Sequence, residues 1–164
     1  MALFDDFYVL SFSLMGFENV DICEQIAEEY LKLSPLKTTL FPGALETLEY
    51  LKNRGYRLFL LTNGFTEVQV IKIKSSGLEP YFEKMITSEE AGYQKPHKKI
   101  FEYALKTVNA RKKESIMIGD DLVNDIFGAR RFGMDTVYFN PDKVSHRQNT
   151  TFEITKLNEL LTIL

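Results

Sequence analysis

The 164-residue sequence has one cysteine, Cys23, so no internal disulfide can form. A lone thiol fits a reducing compartment. On the helical pattern around it, Cys23 reads as one more small apolar residue. No apolar run is long enough to span a membrane. The apolar residues at the start have no basic leader, and Asp5 and Asp6 stand among them, so the expected location is the cytoplasm. Charge of one sign is also lacking. Lys and Arg total 20 against 23 Asp and Glu, a net charge of -3. That balance excludes a nucleic-acid binder working through a basic surface. Low-complexity segments and fixed-period repeats are absent. Asn149-Thr150-Thr151 fits a glycosylation acceptor and is read as chance. What is present is 45% hydrophobic and 13% aromatic residues, which excludes disorder and supplies a core for a chain of one-domain length.

Short apolar runs alternate with longer amphipathic ones. Residues 57–62, 115–119 and 135–140 read as buried strands, and residues 84–87 as a short strand at an edge. Between them, helical spacing predicts helices over residues 42–53, 68–76, 96–108, 124–132 and 157–164. Ser88-Glu89-Glu90-Ala91-Gly92 reads as a loop. Strand–helix–strand alternation of these lengths predicts an α/β fold with a doubly wound parallel sheet. The first part differs. Residues 20–33 predict an amphipathic helix with Ile22, Cys23, Ile26, Tyr30 and Leu33 on one side. Residues 7–14 fit a strand or a buried helix equally. A boundary is expected near Pro35, which divides the chain into residues 1–35 and residues 36–164.

Three strand ends carry polar residues, and open α/β sheets bind ligands beyond the carboxyl ends of their strands. The first is Thr62-Asn63-Gly64, a hydroxyl, an amide and a residue that permits close backbone approach. It serves equally as an ordinary turn. The second is Lys95, read as lying just before a helix that starts at Pro96. A cation there is unfavourable with the helix dipole unless it faces an anion, and a solvated surface lysine is the plainer reading. The third is Gly119-Asp120-Asp121 with Asp125 one helical turn on. One acid suffices to cap a helix. Three around one strand end suit Mg²⁺, a hard cation that takes few carboxylates plus water and substrate oxygens.

In order and in local phrase, Thr62-Asn63-Gly64-Phe65, Ser88-Glu89-Glu90, Lys95-Pro96 and Ile118-Gly119-Asp120 through Asp125-Ile126 resemble the second, third and fourth motifs of the haloacid dehalogenase superfamily. The resemblance runs over residues 41–164 and is nearest to the nucleotidase-like phosphatases with a helical cap. It implies a Rossmann-like core over residues 36–164 and the remnant of a helical cap over residues 1–35. Thr62 would hydrogen-bond the transferring phosphoryl group, with Asn63 and Gly64 beside it. Lys95 would neutralise its oxygens, and Asp120 would ligate Mg²⁺ with support from Asp121 or Asp125. The implied activity is a Mg²⁺-dependent phosphomonoesterase acting on a small phosphorylated metabolite, with a nucleoside monophosphate as first expectation.

The resemblance breaks at the family's first motif, a strand ending in Asp-x-Asp whose first aspartate attacks phosphorus. Phe4-Asp5-Asp6-Phe7 does not supply it. Its aspartates are adjacent rather than alternate, and they would point to opposite faces of a strand. The expectation is therefore a truncated chain lacking its central strand and inactive alone. The gap would be closed by self-association, by a rearranged sheet, or by residues 7–14 as a surrogate strand. Two other readings compete. A metal-independent 2-haloacid dehalogenase is disfavoured by the acids at 120, 121 and 125. A non-catalytic interaction remnant is favoured by the absent nucleophile.

Overall fold

The structure is a computed structural model and describes residues 20–164. The expectations for residues 7–14, and most of the expected cap remnant, lie outside that range. Helix α1 (Val20–Leu33) leads through the 3-10 turn Ser34–Leu36 to α2 (Ala44–Asn53). Then come β1 (Phe59–Thr62), α3 (Thr66–Ser75), β2 (Lys84–Thr87), α4 (Ser88–Ala91) and α5 (Lys98–Thr107). The second half contains β3 (Ile116–Gly119), a π-helical turn (Leu122–Phe127), α6 (Gly128–Phe132), β4 (Asp135–Phe139), β5 (Phe152–Ile154) and α7 (Leu160–Ile163). The order is the expected α/β alternation, and every strand pairing is parallel.

The sheet is not continuous among the described residues. β1 pairs with β2, and β3–β4–β5 form a separate three-stranded sheet. The break falls between the strand that ends in Thr62 and the strand that leads into Asp120, where the resemblance places a missing central strand. β1 and β3 do not close up on each other. All four residues of each are only half-buried, whereas four of the five residues of β4 are buried.

Helix α5 joins the halves. Its apolar face carries Ile100, Phe101 and Ala104, all buried. Ala104 and Val108 pack with Ile86, Phe59 and Leu61 of the first sheet. Ile100 and Phe101 pack with Ala129, Met117 of the second sheet, and Leu61 again. Fully burying side chains of this size contributes about 1.5–3 kcal/mol each, so the two sheets are held together by side chains on a shared helix. Strand alternation sends the neighbours of Met117, Ile116 and Ile118, to the opposite face. There they join Val137, Phe139, Ile154 and Leu160.

Three local expectations need correction. Residues 88–91 are helical rather than a loop, because the Thr87 hydroxyl accepts the N–H of Glu90 and Gly92 closes the turn in the left-handed region. Helix α5 starts at Lys98 with His97 as its cap, so Pro96 precedes the helix. The peptide bond between Lys95 and Pro96 is cis. β5 had no counterpart in the expected strands. Helix α1 has the expected bounds, and its Ile22, Ile26 and Leu33 are exposed. No helix among the described residues is long and apolar enough to cross a membrane.

Candidate active site

The carboxyl ends of β1 and β3 meet at one side chain. The Lys95 ammonium donates to the carbonyl of Leu61 at 2.8 Å and to Oδ1 of Asp125 at 2.6 Å. The pair is nearly dry, with side-chain exposures of 11% for Lys95 and 7% for Asp125. Lys95 therefore ties the end of the first sheet to the turn that follows the second. An ammonium has three donors. Among the described residues two of them are matched, and the third is left for a ligand.

The backbone of Lys95 is fixed from the β1 side. Its N–H donates to Oδ1 of Asn63 at 2.8 Å, and its carbonyl accepts from Nδ2 of Asn63 at 3.0 Å. One side-chain amide thus closes a two-bond ring with the backbone of one residue. Ser88 donates from its hydroxyl to the carbonyl of Asn63 at 3.2 Å. Thr62 accepts the N–H of Gly64 on its hydroxyl oxygen at 2.9 Å. That use of a lone pair leaves the hydroxyl proton of Thr62 free to donate.

The far end of this loop is held by Glu89. Phe65, at the cap position of α3, makes no side-chain cap. The carboxylate of Glu89 takes that role across space and accepts the N–H of Thr66 at 2.7 Å, while the hydroxyls of Thr66 and Thr87 pair at 2.8 Å. The side chain of Thr66, and after it the Thr66 N–H, holds the Glu89 carboxyl below the usual carboxylate range, against a smaller opposing effect of burial. A depressed carboxyl contributes stability that is complete above its unfolded value, about pH 4.3. That contribution is lost as pH falls through the depressed folded value. Acid titration followed by circular dichroism should therefore show a flatter loss of stability below about pH 4 in Glu89→Gln. Glu89→Ala should cost about 1 kcal/mol at neutral pH, as for a lost helix cap.

The three acids after β3 have different employments. Asp121 caps the turn that follows. Its Oδ1 accepts the N–H groups of Val123 and Asn124, each at 2.8 Å, and its Oδ2 accepts the side-chain amide of Asn124 at 2.7 Å. Burial pushes this carboxyl up, but the Asn124 and Val123 donors and the charge of Lys95 outweigh it and leave it lowered. Asp125 pairs with Lys95, and its other oxygen accepts the N–H of Asp121 at 3.3 Å. Asp120 is exposed, and its carboxylate has no hydrogen-bond partner among the described residues. No group of three His, Cys, Asp or Glu residues among the described residues is arranged to hold a metal ion. The donor chemistry suits a hard cation at Asp120, where one free carboxylate faces solvent.

Two close approaches explain why the pattern needs glycine. A Cβ on Gly119 would lie 2.5 Å from both Cβ and Cγ of Asp125, and a Cβ on Gly128 would lie 2.9 Å from Cα of Pro96. The backbone of β3 and the start of α6 are thus moulded around the Lys95–Asp125 pair. Tyr138, paired in register with Gly119, is a neighbour that sequence reasoning missed. Burial raises its hydroxyl, and the charges of Glu153, Asp120, Asp121 and Asp142 raise it further. It stands within an apolar strand run, so nothing in its sequence context marks it. Thr66, Thr87 and Glu89 were missed for a related reason, because their partners lie more than twenty residues away.

Asn63, Lys95, Asp125 and Asp121 are joined by one hydrogen-bonded chain at one end of the two sheets, with the Thr62–Gly64 bond and Asp120 adjoining it in sequence. Comparison with known proteins matches residues 12–139 to the haloacid dehalogenase-like hydrolase family. A glyceraldehyde 3-phosphate phosphatase from Pyrococcus furiosus is 40% identical over 128 residues, covering 75% of this chain and 53% of its own. A pyrimidine 5'-nucleotidase from Escherichia coli is 33% identical over 132 residues, covering 77% of this chain and 57% of its own. The chain thus spans about half the length of these relatives. Among solved structures, the magnesium-bound hydrolase YfnB of Bacillus subtilis superposes with a TM-score of 0.84 at 30% identity. The match covers 99% of this chain and 70% of that one.

Proposed function

Since the chain belongs to the haloacid dehalogenase-like hydrolases, we propose that it forms the phosphate-holding and metal-holding part of a Mg²⁺-dependent phosphomonoesterase. Its substrate class is a small phosphorylated metabolite, with nucleoside monophosphates the first to try. The observation that carries this reading is Lys95, a nearly buried ammonium with one donor unmatched among the described residues, set between the carboxyl ends of two parallel strands. Beside it stands the Thr62 hydroxyl with its proton free. Phosphoryl transfer asks a protein mainly for positioning and for neutralisation of charge on the equatorial oxygens. Thr62 would donate to one phosphoryl oxygen and Lys95 would face another. Asn63 acts at one remove, holding the backbone of Lys95 so that its side chain keeps its aim.

Asp120 is the residue that would hold Mg²⁺, which when bound supplies further charge neutralisation at the phosphoryl oxygens. Asp121 supports it by fixing the turn, and Asp125 by holding Lys95. Among the described acids after β3, Asp125 is paired, Asp121 is capping and Asp120 is assigned to the metal, so none of the three is left to attack phosphorus. The chain alone is therefore expected to bind phosphate and turn over little, in a cytoplasmic setting. The names of the relatives favour phosphate esters over haloacids.

Hydrolysis of pyrimidine nucleoside monophosphates and glyceraldehyde 3-phosphate with Mg²⁺ tests this on the chain and on a form extended upstream. Activity in the extended form that vanishes in Lys95→Met is the expected result. An extended form equally active without Mg²⁺, or active only on haloacids, contradicts it. A single free carboxylate should hold Mg²⁺ weakly. Titration calorimetry on the chain is expected to give a weak isotherm that is weaker still in Asp120→Asn, and tight binding unchanged by that substitution contradicts the assignment.

A further inference from the structure

Tyr138 is a buried tyrosine whose hydroxyl has nothing to bond. Its place follows from the pleat of β4. Val137 and Phe139 turn to the face that holds Ile116, Ile118, Ile154 and Leu160, so Tyr138 turns to the other. Its partner in register is Gly119, one strand spacing away, about 4.8 Å. Gly119 immediately precedes Asp120, and Asp125 fills the space over it. Tyr138 is 5% exposed. A buried tyrosine hydroxyl usually finds a hydrogen-bond partner, yet this one makes no hydrogen bond among the described residues. Its oxygen is not sealed in either, since the buried unmatched side-chain atoms among the described residues belong to Thr47 and His146. The hydroxyl therefore ends at solvent, beside the strand end that carries Asp120.

The ring is held there by a built frame. His146 packs on it edge to face, with ring centroids 5.0 Å apart. Nε2 of His146 bonds one oxygen of Glu153 at 3.1 Å. Asn140 donates to the other Glu153 oxygen at 2.7 Å and grips the backbone of Val144 through two more bonds. None of these bonds uses the Tyr138 hydroxyl, so the frame aims that group and is not held by it. Burial, and then the charges of Glu153, Asp120, Asp121 and Asp142, raise the hydroxyl, which keeps it a donor. Of those four acids, Glu153 and Asp121 have both oxygens engaged. Asp120 is unmatched among the described residues and adjoins Gly119.

We propose that Tyr138 is a positioning residue of the metal site, its hydroxyl donating through one water molecule to the Asp120 carboxylate and so fixing which oxygen turns toward Mg²⁺. The inference rests on the assignment of Asp120 as the residue that holds Mg²⁺. A water is required because the two groups share no direct bond, and a bridging water serves nearly as well as one. An exposed carboxylate with no partner of its own is free to rotate. Partners that hold a ligating carboxylate still strengthen metal binding without touching the metal.

The test titrates Mg²⁺ into the full chain and follows the amides of Gly119, Asp120 and Asp121 by NMR, which reads weak binding. Tyr138→Phe keeps the ring and its contact with His146 and removes only the oxygen. It should melt with the unsubstituted protein, because no protein group loses a bond, and it should bind Mg²⁺ about fivefold more weakly. In chain isotope-labelled at tyrosine Cζ, the resonance missing from Tyr138→Phe identifies Tyr138. That resonance should move on addition of Mg²⁺ to the unsubstituted chain and stay fixed in Asp120→Asn. Tyr138→Phe should cause no further weakening when added to Asp120→Asn. If Asp120→Asn weakens binding and Tyr138→Phe does not, the role of Tyr138 is overturned and the metal assignment stands. Further weakening in the double variant overturns the route through Asp120. A clearly lower melting temperature in Tyr138→Phe makes the hydroxyl part of the fold and overturns the proposal as well. Mg²⁺ affinity that Asp120→Asn leaves unchanged overturns the metal assignment and this inference together.

Discussion

Asp125→Ala is expected to destabilise the protein by about 3–5 kcal/mol, because it strips a nearly buried ammonium of its counter-charge. The large effect comes from what is left behind. Lys95 would keep one bond, to the Leu61 carbonyl, while its charge stayed where water hardly reaches. Replacing both partners with apolar residues of similar shape, as in Lys95→Met with Asp125→Leu, should recover most of the loss, since neither charge is then buried alone. Urea denaturation of the two single variants and the double variant gives the coupling directly. Additive losses would show that the two side chains do not act as a pair.

Gly119→Ala should be nearly as damaging, although it adds a single methyl group at the end of a strand. That methyl would sit 2.5 Å from the Cβ of Asp125, and a Cβ moves only if its backbone moves. Overpacking of this kind costs about 1–3 kcal/mol. Asp125 would also be pushed off Lys95, which takes the expected loss to about 3 kcal/mol or more. For a chain of this size each kcal/mol corresponds to roughly 2–4 °C in Tm, so thermal unfolding should begin about 6–12 °C lower. A variant that melts with the unsubstituted protein would mean that the turn after β3 yields freely. The close packing there would then have no energetic weight.

The parts of this fold that could be read from sequence are those whose cause is local. The strands at Phe59–Thr62, Ile116–Gly119 and Asp135–Phe139 are short continuous apolar runs, and burial on both faces demands such runs. The helix at Lys98–Thr107 announces itself by period, with Ile100, Phe101 and Ala104 on one face. β5 could not be read this way. It has three residues, and reciprocal bonds between Thr136 and Thr151 just before it bring the chain alongside β4. That pairing spans fifteen residues and leaves no periodic trace. The helical turn Ser88–Ala91 was hidden for a similar reason, being too short to show a period.

The candidate site divides in the same way. Thr62, Lys95 and the acids after Gly119 stand out because polar residues at the ends of apolar strands are few. Their division of labour is not in the sequence. Asp120, Asp121 and Asp125 look alike as letters, yet one is free, one caps a turn and one pairs with a buried lysine. Asn63 reads as a turn residue, and only the fold shows that it clasps the backbone of Lys95, thirty-two residues away.

Helix α5 gives the molecule an uneven response to mechanical load. Tension applied along the strands within either half meets ladder hydrogen bonds that must break together in shear. Among the described residues, tension applied across the gap meets side-chain contacts instead, chiefly the apolar grip of α5 on Leu61 and Met117, the bridge through Lys95 and the bond from the Tyr56 hydroxyl to the Leu164 carbonyl. Such contacts yield one after another. The weak direction therefore runs between the halves, at right angles to the strands, and a pulled molecule parts into two ribbons before either ribbon loses its own strands.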